Sequence, residues 1–578
     1  MNNKKLIIAF IMSFVIFVSM YFQKITEGYN FILVLFFVLY TLFIYKTDFS
    51  NKKNFKFMIF VSLALSLIFF VGRTCYILRY NAEYSIWNDI FKARTIIYLF
   101  GYFSLFCPII MRSINYLDNV NVYSENKKIN HIWLKTFLII FICYIPYFII
   151  YYPGLITSDS ITEISLIINN FANISNHHPV IHVLFCSIPF KIGMAIFNNT
   201  TIATACISFT QMTIMAGIYS YFIKFLYDRK INKKILFVIL LYFSINPVNA
   251  FYSITIWKDI IFSGCLLLMT ITIYKMLEKD KITFKNSYSF IIISILTIFF
   301  RNNALYMFFI LSIFLIIIFR KQILTILPMI FIVFCVYFVV NGPIFKLLGV
   351  KQTSTAEYLA IPMQQIGRMA YKGVEFTDSE KEAIDEIIPL ATLKKSYNPE
   401  IVDSIKFNEE FNIKPFEEDK KKYLNLYISL CTKHFDIASE TFLISTLGYW
   451  YPNVDYWTVI TDVEKNNIAV NGHLESLNSV RKYTNALTTK AIPIYNIIWS
   501  IGSYILMIII SFIYLLKNKF KKSIILFIPI IGVWLTILIA TPVFAEFRYM
   551  YSACTCLPFL MLVPFMNKNC IFSTKSNN

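Results

Sequence analysis

Long apolar runs alternate with short basic loops along nearly all of this 578-residue chain. Each run is about 17 to 25 residues long, which is the length that an α-helix needs to cross a hydrocarbon core about 30 Å thick. Hydrophobic residues make up 57% of the chain, more than soluble domains carry. A transmembrane β-barrel would show short segments of alternating polarity instead. The sequence therefore predicts an all-α polytopic membrane protein.

The apolar runs predict about fourteen membrane-spanning helices. Their approximate bounds are 6–22, 30–45, 57–77, 95–112, 133–151, 201–227, 235–256, 260–277, 287–300, 304–319, 323–341, 493–516, 523–541 and 549–566. Basic loops favour the cytoplasmic side, and here they follow every second predicted span. Both termini are therefore predicted to be cytoplasmic in a multi-pass protein of the cell membrane. The first run lacks a small-residue cleavage site and is predicted to be a retained helix.

Residues 180–197 are apolar, but they fit this topology only if they do not cross the bilayer. A crossing would move the basic loop "DRKINKK" to the outside. Pro189 and Lys191 in mid-segment favour a helix that lies at the outer surface or re-enters it. The preceding stretch, 158–171, carries apolar residues at helical spacing. The two segments are predicted to be juxtamembrane helices.

The net charge of +20 does not indicate a nucleic-acid-binding protein, because Lys and Arg are spread through short loops and form no continuous patch. Most of the 11 cysteines lie inside apolar runs. Cys554 and Cys556 lack a second pair of metal ligands. The cysteine pattern therefore predicts neither a disulfide framework nor a zinc site.

The predicted spans divide the chain into four parts. These are N-terminal transmembrane helices at 1–130, a transmembrane core at 131–341 with an external loop at 152–199, a mostly helical extracytoplasmic domain at 342–490, and C-terminal transmembrane helices with a cytoplasmic tail at 491–578. The stretches that are richest in polar groups all fall on the outer side of this topology. The candidate site is therefore predicted to be extracytoplasmic.

Asp159, in the polar stretch "SDSITEISLIINNFANISNHHPVIH", is the candidate catalytic group. A helix N-cap is the structural alternative, because Asp is common at loop-to-helix junctions. However, Ser160 and Glu163 match an S-x-x-E capping box, which predicts a cap that does not need Asp159. A carboxylate just outside the helix start, partly desolvated by apolar neighbours, is predicted to have a raised pKa and to act as a general base.

His177 and His178 precede Pro179 in the same loop and are candidates for substrate binding. Adjacent imidazoles near a carboxylate can contact a phosphate or hold a metal, but no third ligand at a fixed spacing is visible. Interfacial hydrogen bonding is the open alternative. His182, one turn further on, is predicted to face the interface. The cofactor is unknown, and a divalent cation stays open.

Further candidates for substrate binding lie at the outer ends of spans, and they are Lys258, Asp259, Arg301, Asn302, Glu546 and Arg548. The cations run against the positive-inside trend and suit an anionic lipid headgroup. Salt bridges between these cations and the two carboxylates are the alternative. Gln365 and Arg368 in "IPMQQIGRMAY" are candidates in the external domain, with a purely structural capping role as their alternative.

Together these residues form the pattern "PG…DS…HHP…WKD…RNN…IPMQQIGR…EFRY", which resembles the GT-C superfamily. Its members are polytopic glycosyltransferases that use lipid-phosphate-linked sugars and carry an acidic residue in the first large external loop, between two juxtamembrane helices. The chain is similar to a bacterial family of GT-C-like membrane proteins over about residues 130–560.

The resemblance implies a GT-C-like bundle and a hexosyl or pentosyl transferase with inversion of configuration. The donor would be a polyprenyl-phosphate-linked sugar, and the acceptor a cell-envelope glycan or glycopolymer. Asp159 would be the base, and Arg301 or Arg548 would contact the donor phosphate. Two alternatives stay open: a lipid-linked polysaccharide polymerase or ligase, and a transporter or flippase. Membrane lipids are expected partners, and nucleic acid is not.

Overall fold

The computed structural model describes residues 3–23, 30–90, 92–125, 129–279, 281–490, 492, 495–540 and 543–570. Lys127, Lys128 and the predicted cytoplasmic tail at 571–578 lie outside the described residues. Throughout the described part the regular secondary structure is helical, and extended segments meet only in isolated bridges. The prediction of an all-α chain is confirmed.

The α-helices are numbered in chain order. The first nine are α1 (Asn3–Phe22), α2 (Asn30–Tyr45), α3 (Lys52–Leu78), α4 (Ile86–Ile90), α5 (Arg94–Asp118), α6 (Ile132–Ile150), α7 (Ser158–Ile168), α8 (Val180–Phe197) and α9 (Thr200–Asp228). The next nine are α10 (Lys233–Ile245), α11 (Pro247–Ser253), α12 (Lys258–Leu277), α13 (Phe284–Phe300), α14 (Ala304–Ile318), α15 (Ile323–Val339), α16 (Phe345–Leu347), α17 (Ala360–Tyr371) and α18 (Asp378–Asp385). The last nine are α19 (Leu390–Ser396), α20 (Asp403–Lys406), α21 (Lys414–Glu418), α22 (Lys420–Lys433), α23 (Phe435–Ser445), α24 (Asn478–Asn485), α25 (Ile501–Lys517), α26 (Ile528–Ala540) and α27 (Tyr551–Cys570). Short 3₁₀ turns include Arg320–Gln322 and Phe547–Met550, and Val340–Ile344 forms a π-helical turn.

Nine helical segments in the described part of the chain are long and apolar enough to cross a membrane. They are Asn3–Phe22, Lys52–Leu78, Arg94–Asp118, Ile132–Ile150, Val180–Phe197, Thr200–Asp228, Lys258–Leu277, Arg320–Leu347 and Phe547–Met566. A bent pair, α10 with α11, would be a tenth segment; its two helices meet at 50° where Pro247 opens the second. The chain is a multi-pass helical membrane protein by these criteria.

An apolar helix occurs at each of the predicted spans. Five of these helices are shorter than the nine segments above. The number of crossings therefore stays a prediction. Helix α8 is itself long and apolar enough to cross, and Pro189 lies inside it without ending it. Its predicted position at the membrane surface also stays a prediction.

The helices group into two compact units, whereas the sequence predicts four parts. The first unit consists of Met1–Asn121, Tyr358–Val454 and Ala540–Ala545, and the second of Val122–Glu357, Asp455–Ile539 and Glu546–Asn578. The predicted external domain at 342–490 is thus divided. Its central part joins the N-terminal helices in the first unit, and its two ends join the second.

In the second unit, α7 and α8 cover one buried apolar cluster. Its members are Ile156, Ile164, Ile167, Val183, Cys186, Phe190, Ala203, Ile207, Ile256, Ile468 and Val470. The spacing of Ile164 and Ile167 puts both on one face of α7, as predicted for this stretch. The backbone N–H of Leu155 donates to the Ile254 carbonyl at 3.1 Å, and Ile256 donates back to Leu155 at 3.3 Å. These bonds fix the loop before α7 to the segment before α12.

Helix α7 begins at Ser158, with Thr157 as its N-cap residue. The Ser160 hydroxyl accepts a hydrogen bond from the Thr157 N–H at 3.1 Å and donates one to the Ile256 carbonyl at 2.8 Å. The predicted capping box of Ser160 and Glu163 is therefore wrong, because Thr157 already starts the helix. Asp159 lies inside the first turn, where the helix dipole favours negative charge.

Candidate functional site

Asp159 and Arg548 form an ion pair in the second unit. Arg548 Nη1 donates a hydrogen bond to Asp159 Oδ2 at 2.6 Å. Arg548 Nε also pairs with the Glu546 carboxylate. The Asp159 side chain is 30% exposed, whereas that of Glu546 is only 4% exposed. One guanidinium therefore holds an accessible carboxylate and a buried one.

Trp257 connects this ion pair to the start of α7. Its indole Nε1 donates to Thr157 Oγ1 at 2.8 Å. The guanidinium carbon of Arg548 lies 4.9 Å from the centre of the Trp257 ring, within the range of a cation–π contact. The same buried indole thus contacts the N-cap of α7 and the cation that pairs with Asp159.

The surroundings shift the pKa values of the two carboxyl groups in opposite directions. Burial alone would raise the pKa of Asp159. Arg548, followed by Lys258 and His178, outweighs burial and lowers that pKa well below its ordinary value. Burial raises the pKa of Glu546 to about 7 in spite of the Arg548 cation. The predicted raised pKa of Asp159 is therefore wrong, because nearby positive charge dominates.

Arg301 and Asp259 form a second, more deeply buried ion pair, with 3.0 Å between Arg301 Nη1 and Asp259 Oδ1. Arg301 Nη1 also donates to the carbonyl oxygen of Tyr549 at 2.7 Å. Asn302 donates to the Asn176 carbonyl at 2.7 Å. For Arg301 and Arg548, the structure therefore contains the salt bridges that the sequence leaves open as the alternative.

Lys258 differs from these two arginines. It is the first residue of α12, is partly exposed, and forms no ion pair with any residue that the structure describes. Its charge still lowers the pKa values of Asp159 and His177. The start of a helix carries partial positive charge from the helix dipole. A lysine at that position adds its own charge, so the two together favour the binding of an anion. Of Lys258, Arg301 and Arg548, Lys258 is therefore the one that no described carboxylate pairs with.

Glu163 lies one helical turn after Asp159 on α7, and its carboxylate faces two histidines. His182 Nδ1 lies 2.6 Å from Glu163 Oε2, and His178 Nδ1 lies 3.5 Å from Glu163 Oε1. Burial alone would raise the pKa of Glu163, but the two imidazoles lower it to about 2. The prediction that His182 faces the interface is wrong. His182 is fully buried inside the protein, where it pairs with Glu163.

The adjacent histidines have different surroundings. His178 is buried against Glu163, whereas the His177 side chain is 46% exposed and lies 3.8 Å from Glu357. Burial lowers the pKa of His177, and the neighbouring His178 and Lys258 lower it further. His177 is thus the more accessible of the two imidazoles.

Gln365 and Arg368 belong to the first unit and have internal partners there. Arg368 is fully buried and forms an ion pair with Glu440, while its Nη1 donates to the Arg79 carbonyl at 2.8 Å. Gln365 donates to the Ala438 carbonyl at 2.9 Å and accepts from the Tyr427 hydroxyl at 2.6 Å. Their role in substrate binding stays a prediction.

Three features of the site are absent from the sequence-based prediction: the buried Glu163 cluster, the indole of Trp257 and the raised pKa of Glu546. The i, i+4 spacing of His182 and Cys186 on one apolar segment is a signal for the first. The other two arise only when α7, the start of α12 and the 3₁₀ turn Phe547–Met550 come together.

Residues 165–577 match a family described as a family of unknown function (DUF6020). The matched range begins after Asp159 and Glu163 and includes Lys258, Arg301 and Arg548. No curated protein and no solved structure matches the chain. Because the match spans well over half of the sequence, the chain belongs to the DUF6020 family.

Proposed function

We propose that this protein is a membrane glycosyltransferase. It would transfer a sugar from a polyprenyl-phosphate-linked donor to a cell-envelope glycan or glycopolymer on the extracytoplasmic side. One observation carries the proposal: the accessible carboxylate of Asp159 lies beside Arg548 and within the field of Lys258. Glycosyl transfer from a lipid phosphate needs a proton acceptor for the attacking hydroxyl and positive charge for the leaving phosphate. Both groups are available here.

The donor phosphate would bind at the start of α12. Lys258 is partly exposed and has no ion pair among the described residues, so a phosphate can contact it without breaking a salt bridge. Arg301 and Arg548 are each held by a carboxylate. These two arginines would therefore stabilise the leaving phosphate by their fixed positive charge and not by direct hydrogen bonds to it.

Asp159 would receive the proton of the acceptor. The acceptor hydroxyl donates a hydrogen bond to Asp159, and its oxygen attacks the anomeric carbon from the side opposite the phosphate. As the new bond from carbon to oxygen forms, the bond from the anomeric carbon to the phosphate oxygen breaks, and its electron pair leaves with the lipid phosphate. The proton passes to Asp159, and the configuration is inverted.

The lowered pKa of Asp159 determines when that proton moves. A weak base cannot deprotonate a free alcohol before the attack. An alcohol oxygen that has begun to bond to the anomeric carbon is far more acidic, so even a weak carboxylate accepts its proton. Asp159 would therefore orient the acceptor hydroxyl first and take its proton late in the reaction.

The test compares cell-envelope glycans from a strain that lacks the protein and carries wild-type, Asp159→Asn or Asp228→Asn chains. Asp228 is the matched control, because it lies in the same unit and its surface pair with Lys224 leaves it 47% exposed. We expect wild type and Asp228→Asn to restore the missing glycan. We expect Asp159→Asn to yield at least about 100-fold less glycan than wild type. Full restoration by inserted Asp159→Asn protein, or a deletion strain with unchanged glycans, would overturn the proposal.

A further inference from the structure

We propose that Glu163, His178, His182 and Cys186 bind a zinc-like divalent transition-metal ion. Among the described residues, a carboxylate oxygen of Glu163, a ring nitrogen of His182 and the thiol of Cys186 all lie within 4.8 Å of one another. Helix α7 supplies the first ligand and α8 the other two. Because His182 and Cys186 are four residues apart, both lie on the face of α8 that covers α7.

The distances between these ligand atoms suit a tetrahedral ion. Zinc bonds of about 2.0–2.1 Å to nitrogen or oxygen and about 2.3 Å to sulfur place neighbouring ligands roughly 3.3 to 3.6 Å apart. Cys186 Sγ lies 3.9 Å from His182 Nδ1, the nitrogen that also faces Glu163, and His178 Nδ1 lies 3.5 Å from Glu163 Oε1. The pair of Glu163 and His182, at 2.6 Å, has to separate by less than about 1 Å.

His178 would supply the fourth ligand from just outside the group of three, so its ring would have to move toward the ion. The residue is only 7% exposed, yet its Nδ1 has no hydrogen-bond partner within the described structure. Its 3.5 Å ion-pair contact with Glu163 is longer than a good hydrogen bond, so this buried nitrogen has lost its bond to water without a full replacement. The atom faces the Glu163 carboxylate, so an ion bound to that carboxylate would satisfy it.

The ligand types select the class of metal and its role. A thiol with two imidazoles favours zinc or a similar transition metal and disfavours magnesium and calcium, which prefer oxygen ligands alone. The four residues are all at least nine-tenths buried, so the site is closed and has no position for a substrate. The ion would therefore join α7 to α8 and fix the helix that carries Asp159. This inference stands whether or not the protein is a glycosyltransferase.

The test uses the full-length protein purified in detergent and washed with a weak chelator. We expect about one zinc ion per chain by mass spectrometry of the metal content. After cobalt(II) replaces zinc, we expect the charge-transfer absorption of a thiolate bound to cobalt. Cys186→Ser should remove that absorption and reduce metal affinity at least tenfold. Cys206→Ser, in the same unit but outside the cluster, should change neither.

Two results would overturn the proposal. One is wild-type protein that retains no transition metal and develops no thiolate absorption with cobalt, and this measurement requires no variant to fold. The other is folded Cys186→Ser protein with the metal content and spectrum of wild type. Both readouts are independent of glycan synthesis, so failure of the metal site is distinguishable from failure of the proposed transferase function.

Discussion

Arg548 Nη1 donates a 2.6 Å hydrogen bond to Asp159 Oδ2, joining two residues that lie 389 positions apart in the chain. The same guanidinium pairs with the buried Glu546. Arg548 thus keeps Asp159 ionised and offsets a second carboxylate that water does not reach. Removing the cation is therefore expected to affect stability and, under the proposed function, glycan synthesis.

Arg548→Gln is expected to lower the free energy of unfolding by about 3 kcal/mol, because it removes the ion pairs that Arg548 forms with Asp159 and with the buried Glu546. Thermal unfolding in detergent measures this effect, and glycan analysis should show at least a 100-fold loss. Arg229→Gln is the control. Its partner Glu278 is 29% exposed, and we expect less than about 1 kcal/mol. Equal melting temperatures for Arg548→Gln and Arg229→Gln would contradict the stabilising role of the buried Arg548 ion pairs.

Glu546 should make the stability of the protein depend on pH. Its pKa is raised from 4.5 to about 7 in the folded state, where burial and the carboxylates of Asp159 and Asp259 outweigh Arg548. The folded state therefore binds this proton more tightly than the unfolded state does. The resulting stabilisation is complete below pH 4.5 and is lost as the pH rises through about 7, by on the order of 3 kcal/mol.

Glu546→Gln isolates this contribution, because the amide has a similar shape but cannot titrate. Melting temperatures of wild type and Glu546→Gln between pH 5 and pH 8 are the measurement. We expect wild type to lose stability across this range relative to the variant. Parallel curves for the two proteins would show that Glu546 does not titrate there.

Gly154, just before the loop that leads into α7, adopts a φ of +129°. A Cβ atom at this position would lie 2.1 Å from Ser208 Oγ and 2.9 Å from the Ile254 carbonyl oxygen. Gly154→Ala is therefore expected to cost about 2–3 kcal/mol through strain and overlap. Gly217→Ala is the matched control, since its nearest atom, on Trp133, is 4.0 Å away. Similar melting temperatures for both variants would refute this strain.

In the first unit, Arg368→Met should leave the buried Glu440 carboxylate with Lys372 as its one cation among the described residues. We expect a loss of about 3–5 kcal/mol in the free energy of unfolding. The double variant Arg368→Met with Glu440→Leu should recover part of it, because neither charge of the pair remains. If the double variant also restores the envelope glycan, Arg368 does not bind substrate.

Features that depend only on the length and polarity of a segment, such as the positions of apolar helices, can be predicted from the sequence. Runs such as 260–277 and 133–151 coincide with helices because a membrane span requires about 20 apolar residues, wherever its neighbours lie. The start of α7 was harder to predict. Both Thr157 and Ser160 can cap a helix, and the choice depends on Trp257 and Ile256, which contact these hydroxyls from a distant segment.

The charges of the candidate site could be located in the sequence, but their protonation states could not. Asp159 has a lowered pKa only because Arg548 and Lys258 come from other helices. Glu163 matches a capping residue in sequence, yet in the structure it pairs with His182, which is 19 positions away. Long-range contacts of this kind leave no local pattern.

The bridge between Asp159 and Arg548 also bears on how the protein is made. Chains are synthesised from the N-terminus, so the carboxylate of Asp159 is translated long before its guanidinium partner. The ion pair can form only after residue 548 has been translated, and a nascent chain that stalls earlier lacks the guanidinium that pairs with Asp159. A chain that stalls before residue 548 therefore differs electrostatically from one that contains Arg548.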